Sequence, residues 1–324
     1  MPKGHLFVPI QSVLILGMIF SLTCLILRLR VRRRLNGRLY PEDVCLVLSW
    51  IVCINTQGLI LYALYNAGLG VHVQDLTTRL LDLYEKLFLA TACLFVTGLC
   101  LARGAHLIFL GRILAGKHTL RYALYAATAF ITAGSFIIIS LFVFACRPIT
   151  RSWNVSQAGK CISRPAIFIA VAVLNICSDI LLALLPVPLI YNMQVPRAQK
   201  VKFVILSIMV CVTFVASAIR LRVTIPLLKT DDLTYDIAPL ALLVGIEANL
   251  IVIAACLPAL RQGFRMALKD HDMPRDELSK PTDNLANCDS PPGRTPRLEL
   301  SPLDSIVIGP PRLPLQISGA KVSA

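Results

Sequence analysis

The chain has 324 residues, 56% hydrophobic and only 15% charged. Soluble domains carry roughly 25% charged and 45–50% apolar residues, so this composition excludes a soluble enzyme clothed in surface charge. The 32 Lys and Arg exceed the 18 Asp and Glu, for a net charge of +14. The basic residues sit in short clusters between apolar runs, which is a membrane-topology pattern and not a nucleic-acid surface.

A helix crosses the hydrocarbon layer with about 20 apolar residues. Seven windows qualify: 6–27, 44–65, 87–110, 122–144, 166–190, 203–225 and 237–260. None alternates with the period of two that a barrel strand needs, and lipid cannot satisfy an open backbone. The expected fold is therefore all-α, a bundle of seven transmembrane helices over 1–270.

The first window is too long for a signal-peptide core, and arginines follow it where a cleavage site would stand. Lys3 is the only Lys or Arg before it, whereas Arg28, Arg30, Arg32, Arg33, Arg34 and Arg38 follow it closely. That asymmetry predicts an outside or lumenal N-terminus and a cytosolic arginine loop. Seven spans then carry the C-terminus to the cytosol.

The loop after the fourth window is placed outside, although it is more basic than the other outer loops. It holds Asn154-Val155-Ser156, a glycosylation sequon that works only on the lumenal side. It also holds Cys146 and Cys161 in a compartment that permits disulfides. A Cys146–Cys161 bridge is expected, against the alternative of two unpaired cysteines at a helix end. Cys24, Cys53, Cys93, Cys100, Cys177, Cys211 and Cys256 fall inside windows and read as small packing residues.

Charges inside a span are costly and usually face the bundle interior. Arg103, Asp179, Arg220 and Glu247 are the four that stand out. At about 1.5 Å per residue from the outer end, Arg103 lies roughly 24 Å down, Asp179 roughly 20 Å, Glu247 roughly 15 Å and Arg220 roughly 5 Å. Asn175 shares a helix face with Asp179, four residues on. Arg103, Asn175, Asp179, Arg220 and Glu247 thus form an expected intramembrane polar set, centred on Arg103 and Asp179 with Glu247 a turn above. It reads either as an interhelical clasp or as a ligand or proton site. His106 reads as interfacial, Asn249 faces away from Glu247, and Pro186, Pro188 and Pro258 kink or end their helices.

From about residue 271 to 324 the chain is rich in Pro, Ser and Asp and reads as a disordered cytosolic tail. Its Ser290-Pro291, Thr295-Pro296 and Ser301-Pro302 pairs are potential phosphorylation sites, or ordinary tail residues. Elsewhere there is no Gly-x-Ser-x-Gly elbow, Walker loop, Cys-x-x-Cys pair or metal-ligand histidine spacing. No cofactor and no metal is expected. The seventh window lacks the lysine that a retinal Schiff base would need, and the third lacks the Asp-Arg-Tyr of common animal receptors.

Several residues together resemble the fungal rhodopsin-like, or receptor-like, integral membrane proteins. They are Glu42-Asp43, the loop from Cys146-Arg147-Pro148 through Trp153 to Cys161, then Asn175, Asp179, Leu185-Pro186 and Lys200. Arg220, Asp231, Tyr235, Glu247 and Cys256-Leu257-Pro258 complete the set. The resemblance runs from about Arg28 to Arg265. Two departures stand out. Where the family usually has Lys-x-Ser in its third span, this chain has Arg103-Gly104-Ala105, keeping the charge and losing the hydroxyl, with Arg112 nine residues on. Only five residues precede the first window, so the cysteine-rich extracellular domain of some members is not expected. Many members are encoded beside secondary-metabolite genes, which implies a receptor-like or accessory role.

Three functions remain open on these residues. The first is a non-catalytic receptor-like or accessory membrane protein. The second is a membrane-embedded acid–base cyclase or isomerase for a lipophilic intermediate, with Asp179 and Glu247 as its catalytic pair. The third is a transporter, disfavoured because no paired, interrupted helices recur in two halves. The bilayer is the first partner. A lipophilic small molecule and a cytosolic protein on the tail are the further partners these features leave open; nucleic acid is not expected. Plasma membrane and endoplasmic reticulum are both compatible locations.

Overall fold

The computed structural model describes residues 7–38, 40–113, 118–154, 156–185, 197–230 and 232–271. The tail beyond 271, with its Ser-Pro and Thr-Pro pairs, and Pro186 and Pro188 lie outside the described residues.

Seven long helices run through the molecule: α1 Phe7–Asn36, α2 Pro41–Asn66, α3 Thr78–Ile113, α4 His118–Val143, α5 Arg164–Leu184, α6 Arg197–Thr224 and α7 Ala238–His271. Each contains a stretch long and apolar enough to cross a membrane, and the protein is an all-α, multi-pass membrane protein. The helices α3 and α7 bury 50% and 61% of their most apolar stretches, against 22–39% for the other five. They are therefore the two central elements. The helix α7 packs on α1, α6, α3 and α2, and α3 packs on α2, α4 and α7. The outer faces are apolar and bare, as at Phe20, Tyr125 and Phe136, because lipid covers them.

Close approach of helices follows the small residues. A Cβ on Gly245 of α7 would stand 2.0 Å from Leu14 Cδ2 of α1. A Cβ on Gly98 of α3 would stand 3.2 Å from Cys53 Sγ of α2, and the neighbouring Ser49 hydroxyl donates to the Gly98 carbonyl at 2.8 Å. Without a hydrophobic force between helices in lipid, such contacts and hydrogen bonds carry the association.

Three boundaries differ from those expected. The helix α3 begins at Thr78, not near residue 87, so Arg79, Glu85 and Lys86 lie on a helical extension and not in a loop. Hydropathy ends a window at the first charges, but Leu, Lys and Glu are good helix formers and carry the helix on. The helix α1 likewise continues through its arginines to Asn36. Pro258 neither ends nor interrupts α7, which remains helical to His271.

The two ends of the bundle are distinct. At one end, which we call the hairpin end, Cys146–Arg147 pairs antiparallel with Lys160–Cys161, and Cys146 and Cys161 form a disulfide. Asn154 lies exposed within the loop that this bridge closes. At the same end Asp232 meets His72 Nδ1 at 2.6 Å and accepts from the Val73 amide at 3.1 Å. Slight burial would raise the Asp232 carboxyl, but these bonds outweigh it and hold it below its ordinary value. The other end carries the arginine cluster of α1.

Candidate functional site

The five expected polar residues meet in one network joining α3, α5, α6 and α7. Arg103 donates from Nη1 to Asn175 Oδ1 at 2.7 Å and from Nη2 to Asp179 Oδ1 at 3.0 Å. A longer bond runs from Nη2 to the Asn175 carbonyl at 3.3 Å. Asn175 passes the network on, donating from Nδ2 to Glu247 Oε1 at 3.3 Å. Arg220 Nε lies 3.2 Å from Glu247 Oε2. All five are buried, at 2–4% exposure. Two arginines face one Asp and one Glu, so the network is neutral when all four are ionised. Such neutrality is what a low-dielectric interior requires.

Sequence reasoning missed one member and misplaced another. Ser217 donates to Glu247 Oε1 at 2.8 Å and stands 3.5 Å from Asp179 Oδ2, bridging the two carboxylates. Its signal was its place three residues before Arg220 on the same face of α6. Arg220 was expected nearer the outer face, roughly 10 Å above Glu247. In the structure the apolar span runs on past the end of α6 through a separate 3-10 turn at Pro226–Leu228, which sets Arg220 deeper. Its long side chain spans the remaining gap, with the guanidinium 5.1 Å from the Phe95 ring centre.

His106, half-buried, lines a gap of about 10 Å³ beside Arg103 and Asp179, and its Nε2 is buried without a hydrogen-bond partner. That gap is about the size of one water, too small for an organic substrate.

Two more polar layers flank this network. Asn249 is turned about 200° from Glu247 around α7, given 3.6 residues per turn, and so faces α1 and α2. There Asn249 and Gln57 exchange amide bonds at 3.0 and 3.3 Å, and Ser21 donates to Asn249 Oδ1 at 3.1 Å. Trp50 Nε1 donates to Ser21 at 3.3 Å. Toward the arginine end, Arg28 Nη2 is 2.8 Å from Asp43 Oδ1, and Nη1 donates to the Ala255 carbonyl. Glu42, fully buried, sits between Arg112 at 2.6 Å and Arg32 at 3.5 Å. Tyr40 lies 3.4 Å under the Arg112 guanidinium. Arginines read for topology and the Glu42-Asp43 pair of the resemblance therefore lock α1, α2, α3 and α7 together.

Toward the hairpin end the character changes. A cavity of about 70 Å³ is lined by residues such as Tyr84, Phe88 and Phe95 of α3, Phe168 of α5, and Leu240 and Val244 of α7. No charged residue lines it among those described. The ring of Phe95 belongs both to this cavity and to the Arg220 contact. Val244 is one turn from Glu247. The cavity thus ends where the charged network begins. Among the described residues, no group of three His, Cys, Asp or Glu is arranged to hold a metal ion.

Residues 27–266 match the model of the fungal rhodopsin domain. A protein of Emericella nidulans described as a SAT4 family membrane protein is 25% identical over 204 residues, which cover 61% of this chain and 50% of that protein. A protein of Gibberella zeae described as fugralins biosynthesis cluster protein 2 is 25% identical over 130 residues, covering 40% of this chain and 32% of that protein. The chain thus spans half or less of the length of these curated relatives. No solved structure matches it.

Proposed function

The chain belongs to the fungal rhodopsin domain family, and on that premise we propose that it is a non-catalytic, receptor-like or accessory membrane protein. Its ligand is a lipophilic small molecule held toward the hairpin end, and its setting is fungal secondary metabolism. One observation carries this reading. Asp179 and Glu247 are each engaged by an arginine and by Ser217, with only a gap of about 10 Å³ beside Asp179. The larger cavity, of about 70 Å³, is apolar and lacks both carboxylates. A general base must reach the proton it removes within about 2.6–3.2 Å, and neither carboxylate is presented to a space that holds a substrate. The cluster membership of the Gibberella zeae relative supports the metabolic setting.

In this reading the N-terminus and the hairpin end face the lumen or the cell exterior, and the arginine end faces the cytosol. The arginine bias and the Cys146–Cys161 disulfide support that orientation.

The test is deletion of the gene with metabolite profiling, followed by complementation with Asp179→Asn and Glu247→Gln. Unchanged intermediates with altered cluster transcription are expected. Build-up of one uncyclised precursor, reproduced by a carboxamide variant that still reaches the membrane, would overturn the reading in favour of an embedded acid–base enzyme. A changed ratio of intracellular to secreted product would overturn it in favour of transport.

A further inference from the structure

The helix α1 carries its arginines on two opposite faces. At about 100° per residue, Arg28 and Arg32 lie within roughly 40° of each other. They turn inward and pair with Asp43 and Glu42. Arg30, Arg33 and Arg34 occupy a sector of roughly 100° on the other side of the helix, and all three are exposed. Among the described residues no ion pair engages them. Glu42 and Asp43, the next acids along the chain, are taken by the inward arginines and by Arg112.

Earlier in the helix the outward sector is apolar. Ile15, Leu16, Ile19 and Ile26 fall within it and are exposed, where acyl chains cover them. One face thus changes from carbon to guanidinium as it leaves the hydrocarbon. From Arg30 to Arg34 it advances roughly 6 Å. A headgroup layer is about 5–7 Å thick, half the difference between the whole bilayer and its hydrocarbon core. The three arginines therefore fall within the depth of one layer of phosphates. A soluble protein or nucleic acid would gain nothing from the apolar stripe that leads to them. The residue type also points to phosphate. Residues 28–38 include six arginines and no lysine, and a guanidinium fork can grip two phosphate oxygens at once, which an ammonium cannot.

We propose that this face of α1 binds an anionic phospholipid whose headgroup carries a phosphate monoester, as a phosphoinositide does. Arg30, Arg33 and Arg34 donate to its phosphate oxygens, and its acyl chains lie along Ile19 and Ile26. Charge selects the headgroup. A phosphate monoester carries about 1.5 to 2 negative charges at pH 7. With the charge of the diester it nearly matches three guanidiniums, whereas a diester alone leaves two of them unmet. The contacts are ionic and hydrogen-bonded, and no covalent step is involved.

Native mass spectrometry of the full chain, purified in detergent, tests this. Phosphatidylinositol 4-phosphate, phosphatidylserine and phosphatidylcholine with the same acyl chains are added in equal amounts, and retained lipid is counted. Retention is expected to fall in that order. Each single Arg→Gln change at 30, 33 or 34 should lower the preference for the phosphoinositide about 5-fold, close to what one basic residue contributes at an anionic surface. Arg30→Gln/Arg33→Gln/Arg34→Gln should abolish it. Arg147→Gln/Lys160→Gln/Lys229→Gln removes the same charge from exposed positions at the hairpin end and should leave it intact. Equal loss in both triple variants would overturn the assignment to α1, because net charge alone would then explain the binding. Displacement of the lipid by an equal concentration of water-soluble glycerophosphoinositol 4-phosphate would overturn the lipid assignment in favour of a soluble anion. Equal retention of the three lipids by the wild-type protein would overturn the proposal outright, and that comparison needs no variant to fold.

Discussion

Asp179→Asn separates a clasp from a reaction site by stability alone. The substitution keeps the shape of the side chain and an oxygen that accepts from Arg103 Nη2, now 3.0 Å from Asp179 Oδ1. Arg103 also keeps its 2.7 Å bond to Asn175. What disappears is the counter-charge of a guanidinium that is 3% exposed. Breaking a buried pair costs about 3–5 kcal/mol. The hydrogen bonds that remain favour the lower figure, so a loss of about 3 kcal/mol is expected. At 2–4 °C per kcal/mol for a domain approaching this size, that lowers the apparent Tm by roughly 6–12 °C. Arg103→Met/Asp179→Leu removes both charges together and should recover most of that loss, since apolar replacements of buried pairs are often neutral. The assay is thermal unfolding in detergent, followed by size-exclusion of the soluble fraction. An Asp179→Asn protein within 2 °C of wild type would refute the clasp, because the carboxylate would then stabilise nothing.

The remaining predictions concern the hairpin and the helix contacts. Cys146→Ser opens a bridge between residues 15 apart and should cost about 3 kcal/mol; a reductant should lower the wild-type Tm similarly and leave the variant unchanged. Gly245→Val drives a side chain into Leu14 and should destabilise by about 1–3 kcal/mol, while Gly245→Val/Leu14→Ala should recover part of it. Asn154→Gln should abolish any glycosidase-sensitive gel shift of the expressed chain; a wild-type protein with no shift would remove the support that this sequon lends to a lumenal hairpin end.

Charged residues were legible in the sequence because lipid makes each one conspicuous. Arg103, Asp179 and Glu247 could be picked out singly, and Asn175 followed from its spacing to Asp179. Uncharged polar residues do not stand out in the same way. Ser217, Ser21 and Gln57 lie among apolar neighbours at little cost to mean hydropathy, and only their facing reveals their bonds. Arg28, Arg32, Glu42 and Arg112 posed a different difficulty. At a window's edge a charge is cheap, so the sequence offered no reason to expect Glu42 to be fully buried. Depth counting misplaced Arg220 because it took the outer end of the span at residue 225, whereas the apolar span runs on past the end of α6 through the 3-10 turn at Pro226–Leu228. The cavity was not visible at all, since empty volume depends on how Tyr84, Phe168 and Leu240 meet across three helices.

The layers along α7 have a mechanical consequence. Within five turns this helix presents Leu240 and Val244 to the cavity, Glu247 to Arg220 and Ser217, Asn249 to Gln57, and the Ala255 carbonyl to Arg28. These contacts point to different sides of one rod. A pivot that eases one layer strains another, so the layers restrain α7 together. Leu240 and Val244, which line the cavity, thus lie on the same rod as the Ala255 carbonyl that is fastened to Arg28.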